Sequence, residues 1–175
     1  GAGTRVKFNG EYLKDSVNPG TYYKIQKKWK DNDKIEVVFP YKPRFSRWYK
    51  SGVAVEMGPL LFASKLNEKW KTLKGIEPFA DYEVTTDDFW NYGLITDGDI
   101  DIEYFRLDEQ PFNPVNPPII MKVKGKRIDG WKMENNSAGD LPEGPVVSNN
   151  EKERIELIPY GCTNLRIGLF PEIKE

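Results

Sequence analysis

The sequence SGVAVEMGPLLFA, residues 51–63, is the most apolar run in an otherwise polar chain and decides the fold. From Val53 to Met57, larger apolar side chains alternate with alanine or glutamate, a period of two that predicts a β-strand. Gly58-Pro59 interrupts this strand, and since proline has no N–H for a strand ladder, the pair predicts a bulge or a new strand start. Leu60 to Ala63 then predicts a short strand that is buried on both faces. These residues are therefore expected to form the core.

The composition is that of a small protein built from thin β-layers. The chain has 175 residues, which suits one domain or two small ones. Hydrophobic residues make up 38% of the chain, charged residues 30% and aromatic residues 13%. This mixture favours layers in which a few large rings fill the core, because aromatic side chains bury the most area per residue.

The charge balance and hydropathy exclude two classes of partner. Lys and Arg total 26 against 27 Asp and Glu, a net charge of −1, whereas nucleic-acid affinity depends on an excess of positive charge. The apolar runs are far shorter than the ~20 residues that a membrane helix needs. The sequence therefore predicts neither a nucleic-acid partner nor a membrane partner.

The side chains that most often carry catalysis or bind metals are scarce. Histidine is absent and Cys162 is the only cysteine. The commonest general base and zinc ligand are therefore missing, and neither an internal disulfide nor a cysteine-rich metal site is possible. We expect Cys162 to be a small buried residue. The sequence predicts no catalytic residue, no metal site and no cofactor.

Turn signals recur about every 8–12 residues and no long helix is predicted, which is typical of an all-β sandwich. Asn9-Gly10 is a strong hairpin signal, and residues 67–73 are expected to form one or two helical turns. Strands are predicted over residues 4–8, 11–13, 22–27, 34–39, 43–49, 53–57, 60–63, 79–85, 97–106, 119–123, 126–133, 154–158 and 164–167.

Two acidic clusters invite a functional interpretation. A glycosidase needs two carboxylates on either side of the scissile bond, and Asp87-Asp88 or Asp99 with Asp101 are possible pairs. However, Asp99, Asp101 and Glu103 alternate with apolar residues, so the favoured interpretation is the solvent face of a strand.

A calcium site in the second of these clusters is not favoured either. Asp97, Asp99, Asp101 and Glu103 offer the oxygen ligands that Ca²⁺ takes. On an extended strand, however, side chains of one face lie ~6.6–6.8 Å apart, too far to surround one ion. Asp31-Asn32-Asp33 is likewise predicted to form a turn.

Aromatic residues are the remaining candidates for ligand contact. The candidate sugar contacts are Trp48, Tyr49, Trp90, Tyr92 and Trp131, since an aromatic face can pack on the C–H face of a sugar. For Trp90, Tyr92 and Trp131, core packing is the favoured alternative. Trp48-Tyr49 follows Arg44 and Arg47 in a segment predicted to lie at a sheet edge, and is expected to be the most exposed pair.

Five groups of motifs occur in a characteristic order along the chain. They are NPGTY (18–22) with WKDND (29–33), VAVEMGPL (53–60), FWNYGL (89–94), GW (130–131) with LPEGPV (141–146), and LIPYGC (157–162) with LRI (165–167) and FP (170–171). The ordered set resembles the C-terminal part of glycoside hydrolase family 127, the β-L-arabinofuranosidase-like proteins. The resemblance covers nearly the whole chain.

The resemblance implies an arrangement of domains. In the family, a catalytic (α/α)₆ barrel is followed by two small antiparallel, jelly-roll-like β-sandwiches, the second inserted in the first. For this chain, residues 1–78 plus 150–175 are expected to form the first sandwich and residues 79–149 the inserted one. A strand that the family has before Thr4 is missing here, so the first sheet is expected to have an open edge, through which a homodimer could form.

The family's catalytic residues have no counterpart in this chain. The catalytic glutamate and the cysteine-rich zinc site of the family lie in the barrel, and Cys162 does not match the cysteine nucleophile. The resemblance implies a non-catalytic accessory region that acts with the barrel, and a periplasmic or extracellular location. The alternatives are a carbohydrate-binding module for plant-type oligosaccharides and a free-standing enzyme that uses carboxylate pairs.

Overall fold

The structure, a computed structural model, describes residues 3–15, 17–18 and 20–174. As predicted, the protein is all-β, and its described residues contain no α-helix, only two 3₁₀ turns at Tyr49–Ser51 and Tyr160–Cys162. The described part of the chain accordingly offers no helix long and apolar enough to cross a membrane.

The strands in chain order are β1 (Arg5–Phe8), β2 (Glu11–Tyr12), β3 (Ile35–Val38), β4 (Pro43–Arg47), β5 (Val53–Met57), β6 (Leu60–Ser64), β7 (Lys69–Lys74), β8 (Asp81–Thr85), β9 (Tyr92–Leu94), β10 (Asp101–Tyr104), β11 (Ile119–Arg127), β12 (Met133–Glu134), β13 (Ser137–Ala138) and β14 (Lys152–Pro159). The chain forms two compact units, Gly1–Arg44 with Met57–Pro59, and Phe45–Glu56 with Leu60–Glu175.

The first unit contains a three-stranded antiparallel sheet in the order β2-β1-β3. The predicted hairpin between β1 and β2 is confirmed, and its two turn residues have φ angles of 50° at Asn9 and 86° at Gly10, as a type I′ turn requires. β1 is paired on both sides, so the edges of this sheet are β2 and β3. Pairing of another chain at one of these edges stays a prediction.

Side chains outside the strands complete the first unit. The strand predicted over residues 22–27 does not form; this segment supplies Lys27, whose Nζ lies 3.4 Å from the ring centre of Phe8. Trp29 contacts the same ring edge-to-face at 5.9 Å. The segment therefore packs on the sheet through side chains and adds no strand.

The predicted turn at residues 31–33 is confirmed, and Asp33 holds it together. Its carboxylate accepts hydrogen bonds from Asn9 Nδ2 and from the Lys30 N–H, both at 2.8 Å. The bond from Asn9 first, and then that from Lys30, lowers the pKa of Asp33. The carboxylate therefore stabilises two neighbouring turns.

The second unit is organised around a seven-stranded sheet. Its strand order is β10-β11-β14-β6-β5-β4, and β9 pairs with the far end of β11. The core follows the stretch at residues 51–63: Val53, Val55 and Phe62 are fully buried, as are Leu157 of β14 and Phe170. Gly58-Pro59 forms the two-residue turn between β5 and β6 rather than a bulge, and Gly58 has the positive φ of 58° that this position favours.

Two smaller pairs, β7–β8 and β12–β13, complete the second unit. The helical turns predicted over residues 67–73 are wrong, because β7 forms there and pairs with β8. Trp70 and Thr72 lie on one face of β7, and Lys69 and Lys71 on the other. Across the β7–β8 pair, Lys71 Nζ lies 3.3 Å from Oε2 of Glu83.

Strand β11 runs without a break through Gly125, where the sequence predicted two separate strands. A Cβ atom at this position would lie 2.6 Å from the carbonyl oxygen of Gly93 in β9. Glycine is therefore required by the close approach of two backbones, which is one of its usual roles inside a strand.

We expect Gly125→Ala to lower the free energy of unfolding by about 1–3 kcal/mol, the usual cost of overpacking, because a backbone carbonyl cannot move aside as a side chain could. Urea denaturation measures the change. Gly130→Ala is the matched control, since a Cβ there meets no atom within 4 Å. Equal stability of the two variants would show that the backbones of β9 and β11 do not approach closely at Gly93 and Gly125.

The two predicted sandwiches share one sheet. β9, β10 and β11 come from residues 79–149, while β14 and β6 come from the segments assigned to the first sandwich, and all five lie in the seven-stranded sheet. The predicted domain bounds and the jelly-roll-like arrangement stay predictions.

Candidate functional site

The acidic residues of β10 are paired with basic residues of β11 and β14. Glu103 accepts a hydrogen bond from Lys122 at 2.5 Å, and Asp101 accepts one from Arg154. Within residues 3–15, 17–18 and 20–174, no three His, Cys, Asp or Glu side chains come close enough to hold a metal ion. The carboxylates thus contribute to cross-strand pairing on exposed surface.

The structure divides the five aromatic candidates into two groups. Trp131 is buried, with 4% of its surface exposed, and its Nε1–H donates to the carbonyl of Gly139 at 2.9 Å. Trp90 is half-buried and contacts Trp131 edge-to-face at 5.1 Å. Tyr92 is 9% exposed and donates its hydroxyl to Glu153 at 3.1 Å. Burial, and then Glu153, raises the pKa of Tyr92.

Trp48 and Tyr49 are by contrast 64% and 62% exposed. We call residues 48–51, which leave β4, the aromatic turn. Trp48 Nε1–H donates to Ser46 Oγ at 2.8 Å, and that hydroxyl donates to Glu56 at 2.7 Å. The indole is therefore anchored to β4 and β5 by its edge while most of its surface stays free.

The backbone of the aromatic turn is strained. Lys50 and Ser51 have φ angles of 51° and 55°, in the left-handed region that non-glycine residues rarely occupy. Lys50 Nζ is held by Asp140 at 2.5 Å, and its carbonyl accepts the N–H of Gly144 at 3.0 Å. Such strain persists where the surroundings enforce it, and it concentrates at functional sites.

A recess lies beside the half-buried indole of Trp90, and we call it the Trp90 cleft. Its volume is about 350 Å³, and it is lined by Leu66 and by residues of segments 84–90, 133–138 and 164–167. Asp88 and Arg166 supply charges of opposite sign, and Asn136 supplies an amide.

Glu68 fixes the wall of the Trp90 cleft that Asn164 and its neighbours form. The carboxylate accepts hydrogen bonds from the N–H of Asn164 at 2.5 Å, from its side-chain amide at 3.0 Å and from the Thr163 hydroxyl at 3.0 Å. Burial by itself would raise the pKa of Glu68, but these bonds outweigh it and lower the pKa below its ordinary value of 4.5.

We expect Glu68→Gln to lower the free energy of unfolding at pH 7 by about 1–2 kcal/mol, since hydrogen bonds to a charged group are the stronger ones. A carboxyl whose pKa is lower in the folded state stabilises the fold above its unfolded pKa and loses this effect as the pH falls through its folded pKa. The difference from the wild type should therefore shrink below pH 4.5.

Urea titrations at neutral and acidic pH test this, with Glu151→Gln as a control at an exposed glutamate. A stability difference that is independent of pH would contradict the role given to the Glu68 charge.

The sequence indicated Trp90 and named Asp88 only as part of a carboxylate pair, and it missed Asn136 and Arg166. Asp88, Asn136 and Arg166 are far apart in sequence, and no motif links them. Glu68 carried no signal either, because its partners lie 95–97 positions away.

Comparison with solved structures shows which proteins share this fold. One match is a family 127 β-arabinofuranosidase, with a TM-score of 0.53 and 18% sequence identity. The aligned region covers 97% of this chain and 23% of that protein. Another match is described as a glycoside hydrolase, with a TM-score of 0.55 and 16% sequence identity. Here the aligned region covers 98% of this chain and 26% of that protein. At these identities the likeness shows the fold alone.

Sequence comparison adds no further relative: no protein-family model matches, and no curated protein is significantly similar. The chain spans about a quarter of the length of these two matching structures. The resemblance of the sequence motifs is thus confirmed at the level of fold: the chain folds like part of a family 127 β-arabinofuranosidase.

Proposed function

We propose that this chain is a non-catalytic accessory β-sandwich region of a glycoside hydrolase resembling the β-L-arabinofuranosidases. The observation that carries the proposal is the unequal coverage: the fold accounts for 97–98% of this chain but only 23–26% of the enzymes that share it. The region would support an (α/α)₆ catalytic barrel, its oligomerisation or the positioning of its substrate, in the periplasm or outside the cell.

The chemistry of the described side chains supports a structural role. Asp101 and Glu103 pair with basic residues. Cys162 is buried, and burial raises the pKa of its thiol. A thiol of raised pKa is a poor nucleophile, because the thiolate is the reactive form.

The proposal is tested by the rate at which the purified chain hydrolyses a 4-nitrophenyl β-L-arabinofuranoside, with a family 127 β-arabinofuranosidase as positive control. We expect a rate equal to that of buffer. Turnover that is proportional to chain concentration and decreases in Asp88→Asn or Cys162→Ala would contradict the proposal, since a contaminating enzyme would not respond to these substitutions.

A second candidate function, carbohydrate binding without catalysis, is favoured by the exposure of Trp48 and Tyr49. The two rings follow one another on a turn that is held through Lys50, whose side chain binds Asp140 and whose carbonyl accepts the N–H of Gly144. A rigid aromatic surface loses little conformational entropy when it binds a ligand. The aromatic turn therefore has the properties of a small stacking surface for a sugar.

Tryptophan fluorescence, titrated with arabinan-type oligosaccharides, tests this second function. Saturable changes in the wild type that disappear in Trp48→Ala would support sugar stacking at the aromatic turn. An unchanged titration in Trp48→Ala would exclude this surface.

A further inference from the structure

We propose that the Trp90 cleft binds one or two glycosyl residues of a neutral carbohydrate, at a site separate from the aromatic turn. This goes beyond the accessory role and needs no catalytic partner. Small-molecule sites commonly occupy about 300–1,000 Å³, so the cleft, with about 350 Å³, suits a ligand at the small end of this range.

The cleft combines an aromatic wall with polar groups from separate chain segments. Trp90 is held by its edge-to-face contact with Trp131 and packs against the buried cluster around Ile95 and Ile128. An indole that is fixed in this way can present apolar surface to the C–H groups of a sugar without reorganising.

The two charged side chains of the cleft are also held in place. Asp88 accepts the N–H of Asn67 at 2.6 Å, which leaves lone pairs of its carboxylate for other donors. Arg166 donates its Nε–H to the carbonyl of Thr163 at 2.8 Å, and its guanidinium lies 5.0 Å from the ring centre of Tyr160.

Opposite charges in one recess favour a neutral ligand rich in hydroxyl groups. A sugar hydroxyl can donate to a carboxylate such as that of Asp88 or accept from a guanidinium such as that of Arg166. A uronate is attracted by Arg166 but repelled by Asp88, and an amino sugar is attracted by Asp88 but repelled by Arg166, so the cleft offers neither charge a net attraction.

The β12–β13 hairpin supplies the rim. Asn135 and Asn136, the residues between the two strands, have φ angles of 50° and 60°, which suit a tight hairpin turn. Asn136 is exposed at this turn, and its amide has both donors and an acceptor for ring or glycosidic oxygens and for hydroxyls. Asn164, another lining residue, is held by Glu68, which also binds the neighbouring Thr163.

Isothermal titration of the purified chain with arabinobiose, a neutral disaccharide, tests the proposal, and digalacturonate serves as a charged comparator. We expect saturable binding of arabinobiose that weakens about tenfold in Asp88→Asn and in Arg166→Gln, because each loses a charge-assisted hydrogen bond. Glu151→Gln, at an exposed glutamate that does not line the cleft, should retain binding at the cleft. Thermal melts show whether each variant is folded.

Three results would each overturn the proposal. The first is the absence of saturation up to ~10 mM ligand, which would place the Kd above the millimolar range. The others are unchanged affinity in both folded cleft variants and tighter binding of digalacturonate than of arabinobiose. Trp90→Phe provides a further check, since it retains an aromatic ring and should weaken binding less than the tenfold expected for either polar substitution. Because hydrolysis is not measured, failure here leaves the accessory proposal standing.

Discussion

Replacing Phe62 with alanine is expected to lower the free energy of unfolding by about 3–5 kcal/mol, the range for large aromatic residues in a core. Phe62 is fully buried in β6, a strand that lies between β5 and β14 in the seven-stranded sheet. Its removal leaves a cavity that neighbours held in a hydrogen-bonded sheet can fill only in part. Urea denaturation, followed by circular dichroism, measures the loss.

The matched control is Phe79→Ala, because the side chain of Phe79 is 87% exposed. We expect its effect to stay within about 0.5 kcal/mol, as for surface positions in general. Similar losses in the two variants would contradict the assignment of residues 51–63 as the organising core.

Trp131→Ala is the second large change, with an expected loss of about 3–5 kcal/mol in the free energy of unfolding. The indole is buried in a cluster with Leu141 and Ile173 and donates a hydrogen bond to Gly139. Trp131→Phe should cost less, because it retains much of the packing and loses the hydrogen bond, which contributes about 1 kcal/mol. The same urea titration separates these two contributions.

Trp48→Ala is the control for this pair, since Trp48 is a tryptophan of similar size with 64% of its surface exposed. We expect it to leave the stability nearly unchanged. If Trp131→Ala were as stable as Trp48→Ala, the ring of Trp131 would have to be free, and direct sugar contact by Trp131 would regain support.

The parts of the fold that could be predicted are those in which neighbouring residues determine the structure. The alternation from Val53 to Met57, the break at Gly58-Pro59 and the hairpin at Asn9-Gly10 are local signals, and each marks an element of the structure. β14 was also predicted, from the apolar residues between Ile155 and Ile158. In the structure these residues are all at least half-buried.

The elements that were missed depend on distant partners. β7 is exposed along its entire length and forms a strand only because β8 pairs with it, so its lysine-rich sequence gave a helical signal. Residues 164–167 have the alternation of a strand, yet only Ile167 makes a ladder-like bond, accepting the N–H of Ser64. Gly125 suggested a break because the backbone of Gly93, which requires this glycine, lies 32 positions away.

The candidate site shows the same limit. The sequence identified the aromatic residues as a set and favoured Trp48-Tyr49 as exposed, which the structure bears out at these two positions. Burial of Trp131, however, is determined by residues of several strands and loops. The Trp90 cleft is assembled from four segments, so Asp88, Asn136 and Arg166 could be brought together only by the folded chain.

We expect this chain to contact carbohydrate without cleaving it, and one NMR experiment tests both parts. The isotope-labelled chain is mixed with arabinobiose, its amide shifts are recorded during titration, and the sugar signals are followed overnight. We predict shifts at residues that line the Trp90 cleft, such as Asp88 and Arg166, with the disaccharide intact. Release of free arabinose by the chain, or a saturating titration that moves no amide of the cleft, would contradict the account.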